Sequence, residues 1–94
     1  MYTVSGSGSD YILVFDGRLK VHTEKKSWFD GSKSSTTVTF ARTDIFDVVY
    51  VKPKLFKRGW ISFIFSGDSS ISMKVPYSKR NPVESLFHIL KNNL

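Results

Sequence analysis

The chain has 94 residues, which is the size of one small domain. Hydrophobic residues make up 40% of it and charged residues 23%, a balance that excludes a disordered chain. Cysteine is absent, which excludes disulfides and thiolate metal sites, and two histidines leave too few ligands for zinc. We therefore expect no metal and no other cofactor. No targeting or membrane-spanning stretch is visible, so we expect a soluble, cytoplasmic protein.

Positive charge is unevenly distributed. The net charge is +6, and residues 1–47 carry six basic and six acidic side chains. Residues 48–94 carry eight basic and two acidic side chains, so the whole excess lies in the C-terminal half. Such a bias suits an anionic partner, which could be nucleic acid, a membrane surface or an acidic protein. The alternative is that the charge only keeps a small, aromatic-rich domain soluble.

Apolar residues alternate with polar ones through most of the chain, which predicts antiparallel strands with one buried face. Asp16 and Gly17 form the dipeptide most typical of a tight hairpin. Residues 23–35 break this alternation and are predicted to form a long hairpin loop. Residues 52–58 are predicted to protrude, because Pro53 cannot donate to a central ladder. The predicted strands cover residues 11–15, 18–22, 37–40, 45–51, 59–66 and 70–75, and residues 2–4 could add a seventh.

The hydrophobic period changes near the C-terminus. The apolar residues that recur there at helical spacing are Val83, Leu86, Phe87 and Leu90. They predict a helix over residues 82–93, with Asn81 as N-cap, Pro82 at the first position and Glu84 reaching back to the cap. We expect this helix to cover the open end of the sheet.

Several short motifs resemble those of a known fold. They are VFDG at residues 14–17, IxxVxxxKP at 45–53, GWISF at 59–63 and VxY at 75–77. With the C-terminal helix, they resemble the pleckstrin-homology-like (PH-like) fold, and most closely a bacterial family of unknown function often found beside a short C-terminal oligomerisation domain. The resemblance implies one PH-like barrel of six or seven antiparallel strands capped by the helix, and a bacterial or phage origin. It brings no functional residues.

No set of catalytic groups converges in the sequence. His22 is predicted to be solvent-exposed on the polar face of a strand, and His88 lies on the helix beside Phe87. The serines of the long loop lack the pattern of a nucleophile elbow. We therefore predict no catalytic residues, no enzymatic activity and no small-molecule substrate.

The strongest functional candidate is the stretch 52–58 with the tryptophan that follows it. Cations with interleaved apolar side chains suit a nucleic-acid backbone or a membrane interface. The alternative is that the apolar side chains fold back onto the barrel. The candidate residues are Lys52, Lys54, Leu55, Phe56, Lys57, Arg58 and Trp60.

A second candidate is the pair Trp28 and Phe29 in the long hairpin loop. They could form an exposed apolar patch that contacts a protein partner or a second copy, or they could pack over an end of the barrel. The sequence thus predicts a non-enzymatic binding or assembly module. Its partner would be a protein, the protein itself or an anionic surface such as a membrane. The alternative is a nucleic-acid-binding domain that uses residues 52–58.

Overall fold

The computed structural model describes residues 1–26, 29–67 and 69–92. In these ranges the chain forms seven strands, then one helix. They are β1 (Tyr2–Ser5), β2 (Tyr11–Phe15), β3 (Arg18–Lys26), β4 (Lys33–Ala41), β5 (Ile45–Val51), β6 (Gly59–Phe65), β7 (Ser70–Val75) and α1 (Arg80–Lys91). Short 3₁₀ turns at Arg42–Asp44 and Tyr77–Lys79 precede β5 and α1. The predicted mostly-β fold with one C-terminal helix is confirmed, including the seventh strand.

The strands form two antiparallel sheets, in the orders β1-β2-β3-β4 and β5-β6-β7. The prediction of a closed barrel is therefore wrong: within the described ranges no strand ladder joins the two sheets. The chain leaves the first sheet through the turn Arg42–Asp44, where the Asp44 carboxylate accepts a hydrogen bond from the Ala41 N–H at 3.2 Å. This turn ends β4 and redirects the chain, so β5 begins the second sheet and does not pair with β4.

Two of the three hairpins of the first sheet bear on the predictions. Asp16 and Gly17 have φ values of 45° and 71°, the left-handed backbone that a tight two-residue turn requires, so the predicted hairpin is confirmed. The predicted loop 23–35 is wrong, because β3 and β4 stay paired out to Lys26 and Lys33. This extension is polar on both faces, so it shows no alternation, and the backbone ladder holds it together.

The core lies between the inner faces of the two sheets and is completed by the helix. Phe40 of β4 and Phe63 of β6 meet across it, with ring centroids 5.5 Å apart. The buried apolar residues are Val4, Ile12, Leu19, Val21, Phe40, Ile45, Val48, Ile61, Phe63, Met73, Val75, Val83, Leu86 and Leu90. Since α1 packs against both β1 and β5, one from each sheet, it closes one side of the sandwich.

The helix begins at Arg80, two residues before the predicted start at 82, and its last residue is Lys91. The predicted N-cap is wrong: Asn81 lies inside the helix, and the capping position is Lys79, which makes no side-chain capping bond. Pro82 is the third helical residue, where the absent N–H has no intrahelical partner to lose.

Arg80 explains the earlier start. Its guanidinium lies 3.8 Å from the centroid of the Tyr77 ring and donates a hydrogen bond of 2.8 Å to the Tyr77 carbonyl. These contacts hold the turn before the helix in place, so the helical conformation begins there.

Polar side chains fasten the helix to β5. The Tyr50 hydroxyl donates to Glu84 at 3.3 Å, and the Lys52 ammonium lies 3.8 Å from the same carboxylate. Glu84 was predicted to bond its own N-cap and instead serves the neighbouring strand. The Lys91 ammonium donates to Asp47 at 2.7 Å, and this bond is the main reason that the pKa of Asp47 lies below its ordinary value.

Replacing a large, buried helix residue should destabilise the fold. Leu86→Ala removes a side chain that is almost fully buried in the core, so we expect the free energy of unfolding to fall by about 2–5 kcal/mol. The matched control is Ile89→Ala on the exposed side of the same helix. Denaturant melts measure both, and a loss below about 1 kcal/mol for Leu86→Ala would contradict the role of the helix in closing the sandwich.

Tyr50 should ionise abnormally late. Burial, followed by the nearby Glu84 carboxylate, raises the pKa of Tyr50 from 10.0 to about 12. Because the fold favours the protonated phenol, its contribution to stability is complete below pH 10.0 and is lost as pH rises towards 12. Ultraviolet titration of phenolate should show one late tyrosine that Tyr50→Phe removes, together with this alkaline loss of stability. Identical alkaline profiles for both proteins would contradict the assignment.

Candidate anion-binding surface

The segment 52–58, hereafter the connection, ends in a tight turn. The Lys54 N–H donates to the Lys57 carbonyl at 2.8 Å, and the Lys57 N–H donates back to the Lys54 carbonyl at 3.1 Å. Leu55 and Phe56, hereafter the tip, lie between them and are 65% and 96% exposed. The alternative in which the tip folds back onto the protein therefore does not hold.

The base of the connection is tightly packed. Pro53 is buried, and β5 ends two residues before it at Val51. A side chain at Gly59 would collide with the Val51 carbonyl oxygen and would place its Cβ 2.6 Å from the Pro53 nitrogen. Only glycine allows the two ends of the connection to approach this closely, and the close approach fixes where the tip projects.

The structure places the predicted residues of this region at three different positions on the protein surface. Lys52 faces the helix beside Glu84. Trp60, 42% exposed, lies on the outer face of the second sheet, in register with Val51 and Lys74. Residues 54–58 remain together at the turn.

A cleft of about 260 Å³ lies beside Arg58. It is built by the turn between β1 and β2 together with β3, β4 and β7, and the Ser7 N–H ties this turn to β7 through a 2.9 Å bond to the Lys74 carbonyl. The lining residues of this basic cleft are Ser7, Gly8, Ser9, Asp10, Glu24, Lys25, Lys33, Arg58 and Lys74. Four of them are cations and two are carboxylates.

The cations of the basic cleft are not neutralised locally. In the described ranges no salt bridge involves Lys25, Lys33, Arg58 or Lys74. Of the carboxylates, Asp10 is buried and accepts the Glu24 N–H at 2.8 Å, and Glu24 lies 3.2 Å from an imidazole nitrogen of His22. The cleft therefore presents a surplus of positive charge to any ligand that enters it.

Sequence reasoning found Arg58 and missed the other three cations. Lys25, Lys33 and Lys74 come from distant segments, and the sequence predicts a loop where the hairpin carries two of them. One feature of the sequence could have located them: residues 23–26 and 33–36 share a polar composition, and these two segments pair in the structure.

The second predicted candidate is only partly described. Phe29 is 96% exposed. Trp28 lies outside the described residues.

His22 is more enclosed than predicted. Its ring stacks on Tyr11 at 5.1 Å between centroids, its Nδ1 lies 2.7 Å from the Thr37 hydroxyl, and its Nε2 faces Glu24. Hydroxyl, imidazole and carboxylate thus form a row on the outer face of the first sheet. Each contact joins neighbouring positions of this sheet, so the row links side chains of β2, β3 and β4 across its face.

The search of family models, the search of curated proteins and the search of solved structures each found no match.

The described part of the chain contains no helix that is both long enough and apolar enough to cross a membrane. Among the same residues, no group of three or more histidines and carboxylates is placed to hold a metal ion.

The packing at Gly59 gives a testable consequence for the connection. Gly59→Ala forces the backbone of the connection away from β6, so we expect a loss of about 1–3 kcal/mol in unfolding free energy. Amide resonances of residues 52–58 should shift as well. The control is Gly67→Ala, where φ is 89° but the space around a Cβ is open, so backbone strain arises without a collision. Unchanged resonances at 52–58 in Gly59→Ala would contradict the close packing.

Proposed function

We propose that the protein is a non-enzymatic, PH-like binding module that docks onto an anionic membrane surface. The observation that carries the proposal is the position of Arg58. It lines both the basic cleft and a shallow depression formed by the tip and by Tyr77. The cations and the apolar tip therefore belong to one continuous surface.

The two parts of this surface supply complementary contributions. Burying Leu55 and Phe56 in a bilayer contributes roughly 1.5–3 kcal/mol each in gross transfer free energy. Each cation near acidic lipid contributes about 1 kcal/mol. Neither contribution alone gives stable attachment, whereas an apolar anchor beside a basic patch does.

The architecture and the chemistry of the cleft support the non-enzymatic part of the proposal. Seven strands in two sheets followed by a helix is the element order of the PH-like fold. The lysine and arginine side chains of the basic cleft are suited to holding an anion. Its buried carboxylate, Asp10, is already bonded to a backbone N–H and serves the hairpin.

Nucleic acid is the alternative, and the tip separates the two cases. A phosphate backbone would engage Lys54, Lys57 and the cations of the cleft, but it has no use for an exposed Leu55 and Phe56. Phe56 and Tyr77 beside the tip could stack on a base, but Leu55 could not, and Trp60 lies on the sheet face outside the basic cleft and the depression beside the tip. The arrangement thus favours a surface with an apolar interior.

Vesicle binding tests the proposal directly. We expect wild type to bind vesicles of phosphatidylcholine with phosphatidylserine and not those of phosphatidylcholine alone. Lys33→Gln/Lys74→Gln should weaken binding about 30-fold, because each lysine contributes about 1 kcal/mol, and Leu55→Ser/Phe56→Ser should weaken it at least as much. Co-sedimentation at low salt measures both effects.

The matched controls are Lys20→Gln on the outer face of the first sheet and Phe46→Ser, an exposed aromatic residue on β5. Both should bind like wild type. Failure of wild type to bind acidic vesicles would contradict the proposal. Binding to duplex DNA that ignores the tip variant, with a log–log salt slope of about −0.9 per phosphate contacted, would favour the nucleic-acid alternative instead.

A further inference from the structure

Strand β4 leaves a long edge of the first sheet open. It has nine residues and pairs with β3 on one side. In an antiparallel ladder, alternate residues direct their N–H and C=O groups away from the partner strand. Among the described residues, the one further hydrogen bond to the backbone of β4 is that of the Ala41 N–H, at its end. Residues 33–40 therefore offer a row of backbone groups for a new strand.

The other strand edges are covered. β1 is only four residues long and packs against α1, and β5 also packs against α1. β7 is joined to the turn between β1 and β2 through the bond between Ser7 and Lys74. Within the described ranges, β4 is thus a long edge that pairs with no second strand.

Beta-sheet proteins usually protect such an edge with prolines, bulges or inward-pointing charges. From Ser34 to Ala41 the strand has none of these: it contains no proline and no charged residue, and its ladder with β3 is regular. Threonine, valine and phenylalanine also give it high strand propensity. The sequence of β4 therefore favours pairing at this edge.

We infer that β4 pairs antiparallel with β4 of a second copy, around a two-fold axis near Thr37. In this register Ser35 of each copy lies opposite Thr39 of the other, and Thr36 lies opposite Val38. Such threonine, serine and β-branched pairs stabilise antiparallel strands. One strand supplies both halves of the interface, as a two-fold contact requires.

The charges at the ends of β4 are complementary in the same arrangement. Lys33 begins the strand, and Asp44 follows its other end. Antiparallel pairing brings the Lys33 of each copy towards the Asp44 of the other. The nearby cation, Arg42, directs its guanidinium to the Ile89 carbonyl at 3.4 Å, away from this contact.

A groove along the edge points to the same partner. Its volume is about 400 Å³, and it is lined by Val38, Phe40, Asp44, Phe65 and Ser66. Pairing places a second strand along the side of this groove and buries the half-exposed Val38. The inference shares Lys33 with the proposed membrane contact, but it depends neither on the tip nor on the other cations of the basic cleft.

A single introduced cysteine can test the register, because the chain has none of its own. Residues opposite each other in an antiparallel pair have Cα atoms about 4.5–5.5 Å apart, which a disulfide can bridge. We expect Thr37→Cys to form a covalent dimer under mild oxidation. The matched control, Thr3→Cys, places an exposed cysteine on β1 and should stay monomeric on a reducing-agent-free gel.

Light scattering over a range of concentrations supplies the second measurement. Ser35→Lys/Thr39→Lys sets two like-charged pairs opposite each other, so we expect dimerisation to weaken at least about tenfold. Thr3→Lys/Ser70→Lys changes exposed positions on other strands and should leave it unchanged. A wild type that stays monomeric at every concentration would overturn the inference. So would equal cross-linking of Thr3→Cys and Thr37→Cys.

Discussion

The fold depends on burying the inner faces of two small sheets against each other, with the helix closing one side. Four strands face three, and the aromatic contact between Phe40 and Phe63 marks where they meet. A chain of this size has little apolar surface to bury, so neither sheet would be stable alone. Val83, Leu86 and Leu90 add the third layer that excludes water from the side nearest β1 and β5.

The small size of the domain also determines where the candidate site lies. Because the interior is filled by side chains, a ligand has to bind at the surface, and turns and strand ends form the candidate site there. The connection and the turn between β1 and β2 lie at such positions, and both are held by close backbone contacts. A Cβ at Gly6 would lie 2.6 Å from the Lys74 carbonyl oxygen, much as one at Gly59 would meet the backbone of the connection. Tight packing beneath these two segments fixes the positions of the cations that project from them.

Alternation of apolar residues was enough to predict most of the fold, because one face of each sheet is buried. It located β2, β5, β6 and β7, and the helical stripe located α1. It failed for the outer part of the hairpin between β3 and β4, where both faces are polar and only the backbone ladder holds the strands. Alternation also could not show that the strands divide into two sheets, because the turn Arg42–Asp44 redirects the chain without any hydrophobic signal.

The site was harder to predict for a related reason. The connection could be found from its own composition, since its cations and apolar residues are consecutive. The basic cleft is assembled from residues far apart in the chain, and Lys25 and Lys33 reach the same cleft only because β3 and β4 pair in this register. Spacing along one strand or helix cannot reveal such a cluster. The start of the helix is a second example. Asn81 and the residues after it form a good capping sequence, but the contact of Arg80 with Tyr77 starts the helix before Asn81.

In the proposed docking mode, the tip enters an acidic bilayer while the basic cleft stays at its surface. Nuclear magnetic resonance with a spin-labelled lipid in acidic bicelles measures this most directly, because relaxation enhancement reports the distance of each amide from the label. We expect the strongest broadening at Leu55 and Phe56, weaker broadening around Lys74, and none at Phe46. Uniform broadening, or a maximum on the outer face of the first sheet around His22, would contradict it.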